Sequence, residues 1–193
     1  MPANDASARA ASTGAPPSAC AAAIAAAHAL GRPLEPSARA LAAFEGTGRR
    51  LETLGEASGV VVVDDYAHHP SEIRASLAAM RPRTRGRLVA VFQPHTPSRL
   101  RAFFEDFASA LGAADERVVV ETFRSAREAA DDRGGARALA ERAGGRYAAD
   151  AEAAARAVAD RVRAGDVVVV LGAGDIRPAG ERVLELLRAR TAV

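Results

Sequence analysis

The sequence contains no lysine and no tryptophan, a single cysteine, and aromatic residues at only 4% of its 193 positions. Without lysine there is no Schiff-base amine, no carbamylated lysine and no Walker A lysine. Any phosphate or carboxylate gripped by a cationic side chain must therefore be held by one of the 26 arginines or by a protonated histidine. Cys20 has no second cysteine with which to form an intramolecular disulfide or a cysteine-based zinc site. No apolar run reaches the roughly 18 residues of a membrane span. The apolar stretch from Ala19 to Leu30 is short and lacks a basic segment before it, so it does not read as a signal peptide. A membrane is not expected as a partner, and the expected location is cytoplasmic. Net charge is +2 with both signs scattered, and there is neither a basic stripe nor a set of stacking aromatics, so nucleic acid is not expected as a partner either.

What remains is an aliphatic, alanine-rich chain, 49% hydrophobic, long enough for one sizeable domain. Residues 1–17 are low in complexity and read as a disordered lead. Ser18 is placed to cap a helix running to about Leu30, stopped by Gly31 and Pro33, and Pro36-Ser37 opens a second helix to about Phe44. A glycine-punctuated GTGRR turn follows. Beyond it strands and helices alternate. Strands are expected at Leu51–Gly55, Val60–Asp64, Leu88–Phe92, Val118–Glu121, Arg146–Ala148 and Val167–Leu171. Helices are expected at Pro70–Met80, Ser98–Leu111, Ala136–Arg142, Ala151–Arg163 and Pro178–Arg190. This order predicts an α/β fold with three layers, a mainly parallel sheet between helices. The first two strands are too close for a crossover and predict an antiparallel hairpin at one edge.

In such sheets ligands bind beyond the C-terminal ends of the strands. Three of those ends carry unusual chemistry: DDYAHHP after Val60–Val63, QPHTPSR after Leu88–Phe92, and GAGD after Val167–Leu171. Three of the four histidines, His68, His69 and His95, fall there, and only His28 lies elsewhere. Pro70, Ser71 and Glu72 suit a helix start, but Asp64 and Asp65 are more acids than capping needs, and a strand-end carboxylate can accept hydrogen bonds from ribose hydroxyls. Arg99, in the first turn of the next helix, suits a carboxylate or phosphate; the alternative is a surface pair with Glu105 or Asp106. GAGD lacks the third glycine of a dinucleotide fingerprint, and Asp175 can serve as a cap. No nucleophile constellation is present, and adjacent histidines point apart, so no metal site is expected from this chain.

FEGTGRR, DDYAHHPSEI, VFQPHTPSR, the spacing FxxDFAxALxxAD and GAGDI, in this order from about Ala21 to Leu187, resemble the UDP-N-acetylmuramate–L-alanine ligases of the Mur ligase family. The resemblance implies three domains: one for the UDP-sugar, one that binds ATP through a Walker A loop, and a Rossmann-like third that closes over ATP and brings the amino acid. It implies that residues 18–46 are a helical remnant of the central ATPase domain and residues 47–193 the C-terminal domain. It implies phosphorylation of the muramate carboxylate by ATP, then attack of the L-alanine amine on the acyl-phosphate. Arg50 would reach the ATP phosphates, Asp65 the ribose, and Tyr66 would lie by the nucleotide. His68, Arg99 and His95 would form the amino-acid site, with His68 and Arg99 at the alanine carboxylate. Partners would be ATP, L-alanine and UDP-N-acetylmuramate. Mg2+ would be held by the central domain, which this sequence lacks along with any Walker A motif, so the chain alone is expected to be inactive. Two departures stand out: Thr96 replaces the second arginine of the usual QPHRYSR, and Gly48 replaces a bulkier residue in the usual F-x-G-V-x-R-R. Two other readings stay open, a stand-alone non-catalytic nucleotide-binding module and a domain of the tripeptide-recycling muramate ligase.

Overall fold

The computed structural model describes residues 17–42, 48–123 and 135–191. The expected disordered lead lies, except for Pro17, outside the described residues, as do Phe44 and the first part of GTGRR. The chain forms two compact units, Met1–Glu52 and Thr53–Val193.

The described part of the first unit is a helical hairpin, α1 (Pro17–Ala29) and α2 (Leu34–Ala42). Ser18, the expected cap, lies inside α1, and α2 starts before Pro36, which a helix tolerates in its first turn. Gly31, at φ 75, and Pro33 separate the helices as the sequence predicts.

The second unit is built on six strands: β1 (Glu52–Ala57), β2 (Val60–Asp65), β3 (Leu88–Phe92), β4 (Glu116–Val120), β5 (Arg146–Ala148) and β6 (Val167–Leu171), in the spatial order β1-β2-β6-β3-β4-β5. The β2–β6, β6–β3, β3–β4 and β4–β5 pairs are parallel, and β1–β2 is the antiparallel edge hairpin. Its turn is Ser58-Gly59, both at positive φ (51° and 73°), the geometry a two-residue hairpin of right-handed twist requires. The valine runs of β2 and β6 are unbroken because both sheet faces are covered.

The helices are α3 (Pro70–Met80), α4 (Pro97–Ala102), α5 (Phe104–Leu111), α6 (Gly135–Arg142), α7 (Ala151–Ala159) and α8 (Arg177–Thr191). Those that follow β2, β3 and β4 pack against one another on one face: α3 against α5, and α6 against both α4 and α5. Those that follow β5 and β6, α7 and α8, pack together on the other. There they cover Val60, Val62, Val89, Val91, Val118, Val120, Val168 and Val170. The period of two along each strand sends the intervening residues to the first face, where Phe92 meets Phe107 at a centroid distance of 5.2 Å. Neighbouring strands whose helices leave to opposite faces open crevices at their C-terminal ends. In this sheet they occur on both sides of β6 and again between β4 and β5.

The single helix expected over Ser98–Leu111 is two helices. Phe103 (φ −122, ψ 26) leaves the helical region and its ring packs on His69 at 4.8 Å, which interrupts the run. β4 begins before Val118, and α7 stops at Ala159 rather than Arg163.

Candidate functional site

The end of β2 is shaped by its own turn. Asp65 is buried, its Oδ1 accepts the Ala67 N–H at 2.8 Å, and its carbonyl accepts the Gly172 N–H at 3.1 Å, joining the β2 and β6 ends. Asp64, on the opposite sheet face by alternation, is fully buried and pairs with Arg177 of α8 at 3.3 Å. The two acids that looked excessive for capping thus face opposite layers.

His69, not Ser71, caps α3. Its Nδ1 accepts the Ser71 N–H at 3.4 Å and lies 2.8 Å from Ser71 Oγ. Glu72 reaches back to accept the N–H groups of both His68 (2.9 Å) and His69 (3.1 Å), a reciprocal capping box. His69 is thereby structural. The adjacent imidazoles do point apart: His68 turns away, its Nδ1 2.9 Å from the Tyr66 carbonyl and its ring edge-on to half-exposed Tyr66 at 5.4 Å.

At the end of β3, His95 stacks on Phe123 (5.3 Å, 12°) and bridges to it in parallel register. Its other neighbour is the His68 ring, edge-on at 6.1 Å. The structure therefore joins the β2 and β3 ends through His68 and His95, with Tyr66 beside them. Thr96 holds φ 70 and ψ 136. A ψ of this kind suits a residue before proline, but the positive φ is strained for a β-branched side chain. It is tied in place by the Phe123 carbonyl at 3.4 Å from its N–H and by the Leu100 N–H on its own carbonyl at 3.1 Å.

Arg99, on α4, is half-buried, and its Nη1 is buried without a hydrogen-bond partner. The surface pair considered from sequence does not form. Glu105 pairs with Arg142 instead, at 2.7 Å, and among the described residues Arg99 makes no ion pair. Arg50 belongs to the first unit, just before its last residue, Glu52. There Arg49 (φ 59) and Leu51 (φ 47) flank it in the left-handed region, and the Arg49 N–H is held by Glu52 at 2.8 Å.

The GAGD turn is read more sharply by the structure than by its glycine count. A Cβ at Gly174 would lie 2.5 Å from Gln93 Oε1 and 2.7 Å from Phe123 Cγ, so glycine is required by close approach rather than by phosphate chemistry. The Asp175 side chain reaches across to the end of β3, where its Oδ1 accepts from Gln93 Nε2 at 3.0 Å. Gln93 stands within the QPHTPSR motif but has no role legible from sequence, and Phe123 lies beyond the expected Val118–Glu121 strand. No local signal marks Phe123, since its partners are 28 and 51 residues away in the chain. Tyr147 was missed as well. Its hydroxyl donates to Glu121 at 2.8 Å, and burial, reinforced by that carboxylate, pushes the phenol pKa up, so it stays a donor. Among the described residues no group of three His, Cys, Asp or Glu could hold a metal ion.

The chain is a doubly wound α/β domain that carries histidines and an arginine just past the C-terminal ends of β2 and β3, on either side of β6. The chain belongs to the Mur ligase family: residues 49–174 match the Mur ligase, glutamate ligase domain. Among curated relatives, it is 47% identical over 142 residues to a UDP-N-acetylmuramate–L-alanine ligase of Kineococcus radiotolerans, covering 70% of this chain and 30% of that protein. It is 44% identical over 142 residues to the Synechococcus enzyme of the same name, covering 72% and 29%. The solved UDP-N-acetylmuramate–alanine ligase of Thermotoga maritima superposes with a TM-score of 0.69 at 28% identity, over 88% of this chain and 36% of that one. A murein peptide ligase of Psychrobacter arcticus shares the fold, with a TM-score of 0.62 and 24% identity over 86% and 35%. The chain thus spans about 30% of the length of the curated relatives it matches and corresponds to their C-terminal domain.

Proposed function

We propose that this domain supplies the amino-acid and nucleotide contacts of an ATP-dependent UDP-N-acetylmuramate–L-alanine ligase, in the synthesis of peptidoglycan precursors. The observation that carries the reading is the unpartnered, buried Nη1 of Arg99 at a strand end that the His68–His95 contact joins to DDYAHHP. A buried guanidinium nitrogen without an acceptor is costly unless a ligand supplies one, and a carboxylate supplies two oxygens in the matching plane. Arg99 and His68 hold the alanine carboxylate, and His95, fixed on Phe123, walls the same pocket. Holding the carboxylate leaves the amine free to attack an activated acyl group, losing a proton as the amide forms and phosphate departs. ATP supplies the phosphoryl group that activates the muramate carboxylate. Asp65 and Tyr66 flank its ribose and base, although one Asp65 oxygen is already committed to the Ala67 N–H. Arg50 serves the phosphates. Mg2+ belongs with the central ATPase domain, and the reaction takes place in the cytoplasm, where its nucleotide substrates are.

The test joins this chain to the remaining two thirds of an alanine ligase and measures ligation of L-alanine to UDP-N-acetylmuramate. Loss of one charge-assisted contact costs about 1.5–3 kcal/mol. Arg99→Ala should therefore raise the KM for alanine about 10- to 150-fold while sparing that for ATP, and Asp65→Ala should do the reverse. Arg99→Ala that weakens ATP and spares alanine would assign this strand end to the other ligand. The chain by itself should release no phosphate from ATP, because phosphoryl transfer needs the Walker A loop and metal clamp.

A further inference from the structure

The face of the sheet covered by α7 and α8 carries a second crevice, on the layer opposite to α3 and α4. It is a cleft of about 420 Å³ whose walls include Gln93, Thr122, Phe123, Asp150 and Asp175. Alternation explains its lining. Gln93 continues the register of Val89 and Val91, and Thr122 that of Val118 and Val120, so both side chains emerge on the α7–α8 face just past the sheet. Asp150 precedes α7 and Asp175 precedes α8, so the cleft lies between the starts of these two helices, at the β4–β5 crevice and beside β6.

Its polar groups are unusual in one respect. Gln93 is 7% exposed and Thr122 5% exposed, and Gln93 Oε1 and Thr122 Oγ1 are both buried with no hydrogen-bond partner. Buried polar atoms of this kind are rare in folded proteins, and two on one cleft point to a ligand that completes them. Gln93 cannot turn its amide to resolve the matter without cost, because Nε2 is bound to Asp175 Oδ1 and Oε1 lies against Gly174. The missing partner must therefore be a donor. The charged side chains that line the cleft among the described residues are all carboxylates, so the donor should also be cationic. Among the described residues no group of three His, Cys, Asp or Glu could hold a metal ion.

We propose that this cleft binds a small molecule through its primary ammonium group, with N–H donors to Gln93 Oε1 and Thr122 Oγ1 and the charge balanced by Asp175 and Asp150. The cleft differs in its lining from the carboxylate site proposed at Arg99 and His68, and the two meet at Phe123, which lines the cleft and stacks on His95. Its volume is in the range of small-ligand pockets.

The experiment is an NMR titration of the full 193-residue chain with ethylammonium chloride, with tetramethylammonium chloride as the control that has the same charge but no N–H donor. Ethylammonium should shift the Thr122 and Asp175 amides and the Gln93 side-chain amide saturably, and tetramethylammonium should not. Thr122→Val should weaken ethylammonium binding on the order of tenfold. Its melting temperature should be equal to or above that of the parent, since a methyl group replaces an unsatisfied hydroxyl. Asp175→Asn, at an exposed position, should weaken binding even if Thr122→Val fails to fold. Equal shifts from the two cations, or ethylammonium shifts confined to His68, His95 and Arg99, would overturn the proposal. Acetate, a carboxylate without an ammonium group, added in a separate titration should move the Arg99 region and leave Thr122 and Asp175 in place, so that failure of the carboxylate site and failure of this one are told apart.

Discussion

Gly174→Ala should break the coupling between the GAGD turn and the histidine pair, although it adds only one methyl group. The new Cβ would stand 2.5 Å from Gln93 Oε1 and 2.7 and 2.9 Å from Phe123 Cγ and Cδ2. Neither neighbour yields freely. Gln93 is buried and tied to Asp175, and the Phe123 ring is stacked on His95. Overpacking of this kind costs about 1–3 kcal/mol. For a unit of this size that lowers Tm by roughly 3–12 °C. The functional effect should exceed the stability effect, because the ring that must move carries His95, and His95 faces His68. Thermal unfolding followed by circular dichroism gives the first quantity, and the imidazole resonances of His68 and His95 give the second. Gly48→Ala is the control, since its Cβ would meet only Glu52 Oε2 at an ordinary 3.7 Å. A Gly174→Ala protein that melts with the parent and keeps both histidine signals in place would refute the reasoning that this glycine is set by close approach to Phe123.

At the other end of the sheet, Asp166 is buried and accepts the N–H groups of Arg87 (2.8 Å) and Arg163 (3.0 Å) and the Arg87 guanidinium (2.7 Å). Asp166→Ala should cost about 2–4 kcal/mol, because the half-exposed Arg87 can turn to water but the backbone donors cannot; unfolding within about 2 °C of the parent would contradict this. Burial raises the Asp166 carboxyl, but the hydrogen bonds from Arg87 and Arg163 and the Arg87 charge outweigh it and hold its pKa below the usual range. Asp115 is also lowered, chiefly by the Arg81 hydrogen bond. Depressed folded-state values contribute stability that is present above the unfolded pKa near 4 and lost as pH falls through the folded values. Tm should therefore hold down to about pH 5 and then drop, with a shallower acid limb in Asp166→Asn. Glu72→Ala removes the acceptor of the His68 and His69 N–H groups and should cost about 1–2 kcal/mol while shifting the His68 imidazole signal, a pairing that a purely surface role for Glu72 would not produce.

Much of this protein is set by local sequence. Valine runs specify buried strands, Ser58-Gly59 specifies the hairpin, and proline after DDYAHH and QPHT specifies where helices start, because these effects act within one turn or one period of the backbone. The same locality made DDYAHHP, QPHTPSR and GAGD legible as strand-end motifs and allowed the family resemblance to be seen. What the sequence could not settle was which partners those motifs would meet. The insertion of β6 between β2 and β3 brings GAGD against Gln93 and Phe123, and no residue near position 170 announces that order. The division of labour between His68, which faces His95, and His69, which caps α3 and packs on Phe103, depends on how the chain leaves β2 and on a break in the following helix pair. Likewise Arg99 could have paired with Glu105; it does not, because Arg142, 37 residues further on in the chain, takes that acid. Side-chain periodicity chose the faces, but only the packing of six strands and their crossovers decided which groups were satisfied and which were left waiting for a ligand.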